Sequence, residues 1–148
     1  MSDSISFFVA GEPQPKGSTR TWMVAGKPIT TSSNRNLKQW ELRIAHEAQA
    51  KAAEVGWTFN PHEAYLVSGE FYFARPKSYP KGFAYEHTVR PDLDKCARAL
   101  LDGITNVLIH DDAQVVEIQV FKEYADEHVP GSPGIKVEIQ KAPGRAPR

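Results

Sequence analysis

The chain changes its hydrophobic period sharply at one place, and that change limits what it can fold into. Leu93, Ala97, Leu100, Leu101, Ile104, Val107 and Leu108 recur at helical spacing. A polar turn, His110-Asp111-Asp112, follows. From Gln114 to Lys122 the pattern becomes alternation, with Val116, Ile118 and Val120 set against Glu117 and Gln119. A period of two marks a strand with one buried face. A helix that runs directly into such a strand folds back against a sheet.

The remaining segments extend this picture. Ile5 to Ala10 predicts a first strand, and Gly11 to Thr21, with Pro13, Pro15 and Gly17, predicts a loop. Trp22 to Thr30 predicts a small hairpin turning near Gly26. From Asn36 a helix is predicted on the stripe Leu37, Trp40, Leu42, Ile44, Ala45 and Ala48, with Gly56 as its stop. Tyr65 to Phe73 predicts a strand, Arg75 to Val89 a loop, and Ile135 to Ile139 a last strand paired with Gln114–Lys122 across the turn 126–134. The order β-(β)-α-β-α-β-β predicts an α/β (α+β) fold: one domain over residues 1–141, a mixed β-sheet packed with two main helices, and a frayed Pro/Gly/Arg-rich tail over 142–148.

Composition narrows the class. At 148 residues the chain can hold a core without staples. Its single cysteine excludes an internal disulfide framework and an all-cysteine zinc site. No early apolar run has the length of a signal peptide or a membrane span, so the expected compartment is the cytoplasm and no membrane partner is expected. Lys+Arg and Asp+Glu balance at 18 each, which argues against an indiscriminate polycation but leaves local charge to decide. Acids gather at Asp92, Asp94, Asp102, Asp111 and Asp112, and bases just before them at Arg75, Lys77, Lys81 and Arg90. Such a knot suits a divalent cation held beside a polyanion; it equally describes solvated loops and helix caps.

The spacing of the acids carries some geometry. Residues two apart on a helix lie about 200° apart, whereas in extended chain they share a side. Pro91 favours extended geometry at Arg90, and Asp94 is a good N-cap for a helix beginning at Lys95. Asp92 and Asp94 can therefore converge just before the helix, or Asp94 simply caps it while Asp92 favours the helix dipole. Of the neighbours Asp111 and Asp112 only one would enter a shared site, and only if the chain reverses to bring it there. Carboxylates in this number suit Mg²⁺. The five histidines lack zinc-ligand spacing, and no Walker loop, nucleophile elbow or dinucleotide fingerprint is present. Cys96 reads as a small core residue.

Arg90-Pro-Asp-Leu-Asp-Lys at 90–95, Ala99-Leu-Leu-Asp-Gly-Ile at 99–104 and Asp111-Asp-Ala-Gln-Val-Val at 111–116 resemble the RusA family of Holliday junction resolvases. Gly11-Glu-Pro-Gln-Pro-Lys-Gly at 11–17 and Phe71-Tyr-Phe-Ala-Arg-Pro-Lys-Ser at 71–78 resemble its phage and prophage branch, and the likeness spans roughly residues 7–140. The resemblance implies a small homodimeric, Mg²⁺-dependent endonuclease (Mn²⁺ substituting) that cuts branched DNA, four-way junctions above all. It implies Asp92, Asp94 and Asp112 as metal-holding catalytic residues, with Asp111 in support. Two positions depart from the family pattern. Lys95 stands where Asn is usual, and Arg98 where a functional Lys is common. Arg98, one helical turn beyond Asp94, can still face the site and steady a phosphate, but it is a poor proton donor.

Hydrolysis of a phosphodiester is the reaction expected, with Arg98, Lys95 or Lys122 neutralising phosphate charge. Lys16, Arg20, Arg75, Lys77, Lys81 and Arg90 are the expected backbone contacts, each equally readable as ordinary surface charge. Tyr79 and Tyr85 suit either stacking on unpaired bases or packing within their loop. The competing functions are a flap or general branched-DNA nuclease with the same chemistry, a non-catalytic DNA-binding protein, and a structural protein whose acids only cap helices.

Overall fold

The computed structural model of the protein describes residues 3–17, 19–32, 35–80, 83, 85–125 and 132–144, with 19–21 and 30–32 described by backbone alone. The elements are β1 (Ser4–Ala10), β2 (Thr19–Val24), β3 (Lys27–Ser32), α1 (Leu37–Val55), β4 (Tyr65–Phe73), α2 (Leu93–Ile104), a 3-10 turn (Asp112–Gln114), β5 (Val115–Tyr124) and β6 (Gly134–Lys141). No helix among the described residues is long and apolar enough to cross a membrane.

A four-stranded sheet runs in the order β1-β6-β4-β5, and β2 and β3 form a separate two-stranded sheet. β6 is antiparallel to both β1 and β4, while β4 and β5 are parallel. The predicted pairing of the last strand with Gln114–Lys122 is therefore wrong: β4 lies between them. The reason is the α2 crossover, which lays β5 parallel to β4 along one edge and leaves the other edge of β4 to β6. The turn once expected at 126–134 falls largely outside the described residues.

Both helices supply a core face. α1 buries Leu37, Trp40, Ile44 and Ala48. Leu42, expected in that stripe, is exposed. Gly56 ends the helix in the left-handed region, φ 71°, where its N–H donates to the Ala52 carbonyl. α2 buries Cys96, Ala97, Ala99, Leu100, Gly103 and Ile104. The two helices meet at Gly103, where an added Cβ would lie 2.7 Å from Ile44 Cγ2, so only glycine permits this approach. Tyr65, Val67, Phe71 and Phe73 of β4 and Ile135, Val137 and Ile139 of β6 complete the core.

Two further expectations shift. The predicted helix through Leu108 ends at Ile104; a short turn follows, closed by a parallel bridge between Thr105 and Ile109. Leu108 and Ile109 are fully buried there, so their apolar spacing serves the core without helix. In β5, Val116 and Ile118 remain 65% and 40% exposed although alternation predicted them buried. β5 is the outer strand of the sheet, and its face is correspondingly less covered.

Candidate active site

The sequence around Pro91 sets the first acidic point. Asp92 has extended backbone and stands as the N-cap of α2, which begins at Leu93, two residues earlier than the start at Lys95 expected from Asp94 as the cap. Asp94 therefore lies in the first helical turn, where a carboxylate favours the helix dipole, and Asp92 makes no side-chain cap bond. Asp92 and Asp94 are both exposed. Lys95 Nζ stands 3.6 Å from Asp92 Oδ2, a solvent-facing pair worth under about 1 kcal/mol. Lys122, from β5, reaches the same end of α2. Its Nζ donates to the carbonyls of Val89 and Pro91 at 2.7 and 2.9 Å, fixing the segment that delivers Asp92. Cys96 lies beneath this cluster, wholly buried, its thiol pushed up to about 12 by burial, which makes it an inert core group.

The second acidic point is at the far end of α2. Asp94, Arg98 and Asp102 are four residues apart and form one polar stripe along the helix. The loop 11–17 lies across it: Lys16 N–H donates to the Lys95 carbonyl at 2.9 Å, and Lys16 Nζ reaches Asp102 Oδ2 at 2.7 Å. The bond to Asp102 raises the Lys16 pKa, and the charges of Glu41 and Arg98 also act on it. Glu41 is itself raised, chiefly by burial.

Asp111 and Asp112 begin the 3-10 turn. The Asp111 side chain accepts from the Ala113 N–H at 2.9 Å, and that bond holds its carboxyl below the usual range. Asp112 moves the opposite way, raised first by its hydrogen bond with Asp111 and further by the negative charge of Asp102. Gln114 locks this turn in place. Its Oε1 accepts from the N–H groups of His110 and Asp111, and its Nε2 donates to the carbonyls of Asn60 and Glu63 at 2.8 and 2.9 Å.

The structure thus groups Asp92, Asp94, Lys95 and Lys122 at one end of α2 and Asp102, Lys16, Asp111 and Asp112 toward the other. Eight residues from Asp94 to Asp102 span about 12 Å of helix axis. The five aspartates are oxygen donors of the kind a hard divalent ion takes. No three His, Cys, Asp or Glu side chains among the described residues form a ready-made metal group within this one chain.

The remaining expected contacts are scattered around these points. Arg98, Lys77 and Arg90 are exposed. Arg75 is half-buried, and its Nη1 donates to the Pro80 carbonyl at 3.3 Å. Lys81 and the side chain of Arg20 lie outside the described residues. Tyr79 and Tyr85 pack on each other, ring centres 4.6 Å apart, with Tyr79 also edge-on to Tyr124 at 5.7 Å. That is packing within the loop. Asp102 and Gln114 are the residues sequence reasoning undervalued. Asp102 was signalled by its eight-residue spacing from Asp94, while the reach of Gln114 to residues 60 and 63 left no local trace.

Comparison with known proteins completes the picture. Over 145 residues, 94% of this chain and 97% of the other, the protein is 25% identical to the uncharacterized protein YqaN of Bacillus subtilis (strain 168). The family model for the endodeoxyribonuclease RusA matches residues 10–140 and so covers every acidic residue discussed above. This chain belongs to the RusA family of endodeoxyribonucleases, enzymes that hydrolyse DNA.

Proposed function

We propose that the protein is a divalent-metal-dependent endonuclease that cuts four-way DNA junctions as a homodimer. The observation that carries this reading is that Asp92, Asp94 and Asp112, at the motif positions of the family, are all exposed and stand on elements that also carry Lys95, Arg98 and Lys122. Carboxylates flanked by cations suit a phosphodiester whose charge must be both approached and neutralised.

Asp92, Asp94 and Asp112 would hold the cation. When bound, a divalent ion such as Mg²⁺ supplies Lewis-acid polarisation of the phosphoryl oxygen and a more acidic water. Arg98 lies between the two acidic points and would orient the phosphate and offset its charge. Lys122 would act indirectly, by holding the Val89–Pro91 backbone that aims Asp92.

The separation of the acids supports a dimer. From Val115 to Lys122 the strand β5 spans about 23 Å. Its N-terminal end carries Asp112, and its Lys122 end carries Asp92 and Asp94. β5 pairs only with β4, so its outer edge is open among the described residues, and Val116 and Ile118 are exposed beside it. Edges of this kind pair with further strands. A second copy running antiparallel along that edge would set the Lys122 end of one β5 beside the Val115 end of the other. Each site would then draw Asp92 and Asp94 from one protomer and Asp112 from its partner, giving two sites related by a two-fold axis. A four-way junction has matching approximate symmetry.

Incubating the protein with a synthetic four-way junction and a linear duplex of the same sequence, with Mg²⁺ and with EDTA, tests this reading. Paired symmetric cuts in the junction with Mg²⁺ alone are expected. Equal cutting of a simple flap would favour a general branched-DNA nuclease instead.

A further inference from the structure

The β2–β3 hairpin is unlike the rest of the molecule. It forms its own sheet, apart from the four-stranded one, and every residue from Trp22 to Ile29 is exposed. Trp22, Met23, Val24 and Ile29 are 45%, 65%, 47% and 39% exposed. A lone two-stranded hairpin is marginal in water, and apolar side chains held out on one mark a contact surface. The other two tryptophans, Trp40 and Trp57, are buried, so the exposure of Trp22 is specific.

The register gives this surface a composition. Trp22 pairs with Ile29 and Val24 with Lys27, so these four residues share one face, aromatic and aliphatic with a cation at its tip. Residues 13–40 hold five cations, Lys16, Arg20, Lys27, Arg35 and Lys38, and no Asp or Glu, in a chain whose total charge is zero. The hairpin also springs from the site itself. Lys16, three residues before β2, is bonded to α2 beside Arg98. Trp22 is six residues beyond Lys16, at most about 20 Å along the chain.

We propose that this hairpin engages the branch point of the DNA substrate, with Trp22 stacking on an unpaired base, Ile29 and Val24 filling the opened step, and Lys27 on the adjoining phosphate. The occupant is nucleic acid, because a base offers the flat face that Trp22 matches and the phosphates offer the charge that this acid-free stretch matches. The inference rests on the junction-cutting function proposed above.

The test uses a four-way junction carrying 2-aminopurine at the crossover, with a linear duplex as reference. Wild-type binding should brighten a 2-aminopurine placed next to the base that Trp22 takes, as that neighbour is drawn away and the 2-aminopurine loses its stacking. Trp22→Ala should abolish the brightening and weaken junction binding about tenfold while moving duplex affinity less than about twofold, and Trp22→Phe should retain most of both effects. Trp22 lies outside the core, so melting temperatures should match wild type. Junction binding and brightening unchanged in Trp22→Ala would overturn the inference alone. So would a Trp22→Ala protein that sediments as a smaller species without DNA, since the hairpin would then serve a second copy. A wild type that fails to prefer the junction would overturn the proposed function and this inference with it.

Discussion

Lys16 and Asp102 form a 2.7 Å ion pair that pins the loop 11–17 to the polar stripe of α2. The cation is thereby partly committed to a neighbouring carboxylate, which on the proposed function stands where DNA would approach. Both side chains are more than a third exposed, so solvent screens the pair. Asp102→Asn should therefore cost less than about 1 kcal/mol of stability. It should also tighten junction binding about two- to fivefold at low salt, by removing a negative charge and releasing Lys16. Fluorescence anisotropy and thermal melting of the same variant check both halves. Weaker binding would mean that the pair, as formed, is what presents the loop to DNA.

His87 should make stability depend on pH. It is 7% exposed, packed between Phe73 and Tyr124 at ring distances of 4.5 and 4.7 Å, and its Nδ1 has no hydrogen-bond partner among the described residues. Burial, and then the charge of Lys122, lowers its pKa from the ordinary 6.5. The unfolded chain therefore takes up a proton at this position at a higher pH than the folded one does. Stability should be full above about pH 6.5 and fall as pH drops from there toward the lowered folded-state value. In His87→Gln that part of the slope should flatten. Urea melts at pH 7.5 and 5.5 measure it, and an identical slope in both proteins would contradict the assignment.

Gly103→Ala should destabilise the protein by about 1–3 kcal/mol, because the new methyl meets Ile44 Cγ2 at 2.7 Å across the α1–α2 contact. Ile44→Ala alone opens a cavity and should also destabilise. The double variant should recover part of the loss, since the methyl then has room. Additive losses in a chemical-denaturation cycle would show that the two residues do not press on each other.

Arg98→Ala should slow single-turnover cleavage about a hundredfold while changing junction affinity only a few-fold, the pattern of a preorganised donor to transition-state charge. Arg98→Lys should restore much of the rate. An unchanged rate with slightly lower stability would make Arg98 a surface partner of Asp94 or Asp102 instead.

Local signals carried much of this structure into the sequence. The helical stripe from Leu93, the alternation after Gln114, the stop at Gly56 and the hairpin at Gly26 each act within a few residues, and the elements stand close to where those signals fall. What the sequence hid depends on distant chain. The pairing of β6 with β4 follows from the α2 crossover, and Leu108 and Ile109 are apolar because they plug the core after the helix has ended. The acidic motif itself was legible, but the distance between its halves was not. Asp94 and Asp102 share a stripe by spacing, whereas Lys122 shows its place only once β5 is laid against the Val89–Pro91 backbone.

Mixed variants test the proposed division of the site between two protomers. Asp94→Asn and Asp112→Asn should each abolish junction cleavage while leaving binding intact, since each removes a donor for the cation and no phosphate contact. The decisive measurement is Mg²⁺-dependent cleavage of a four-way junction by the two variants after they are mixed and allowed to exchange subunits. Each mixed dimer would hold one intact site, with Asp94 from one protomer and Asp112 from the other. Random exchange then predicts nicking restored to about a quarter of the wild-type number of sites. A mixture as inactive as either variant alone, with exchange verified by mass, would contradict the shared site.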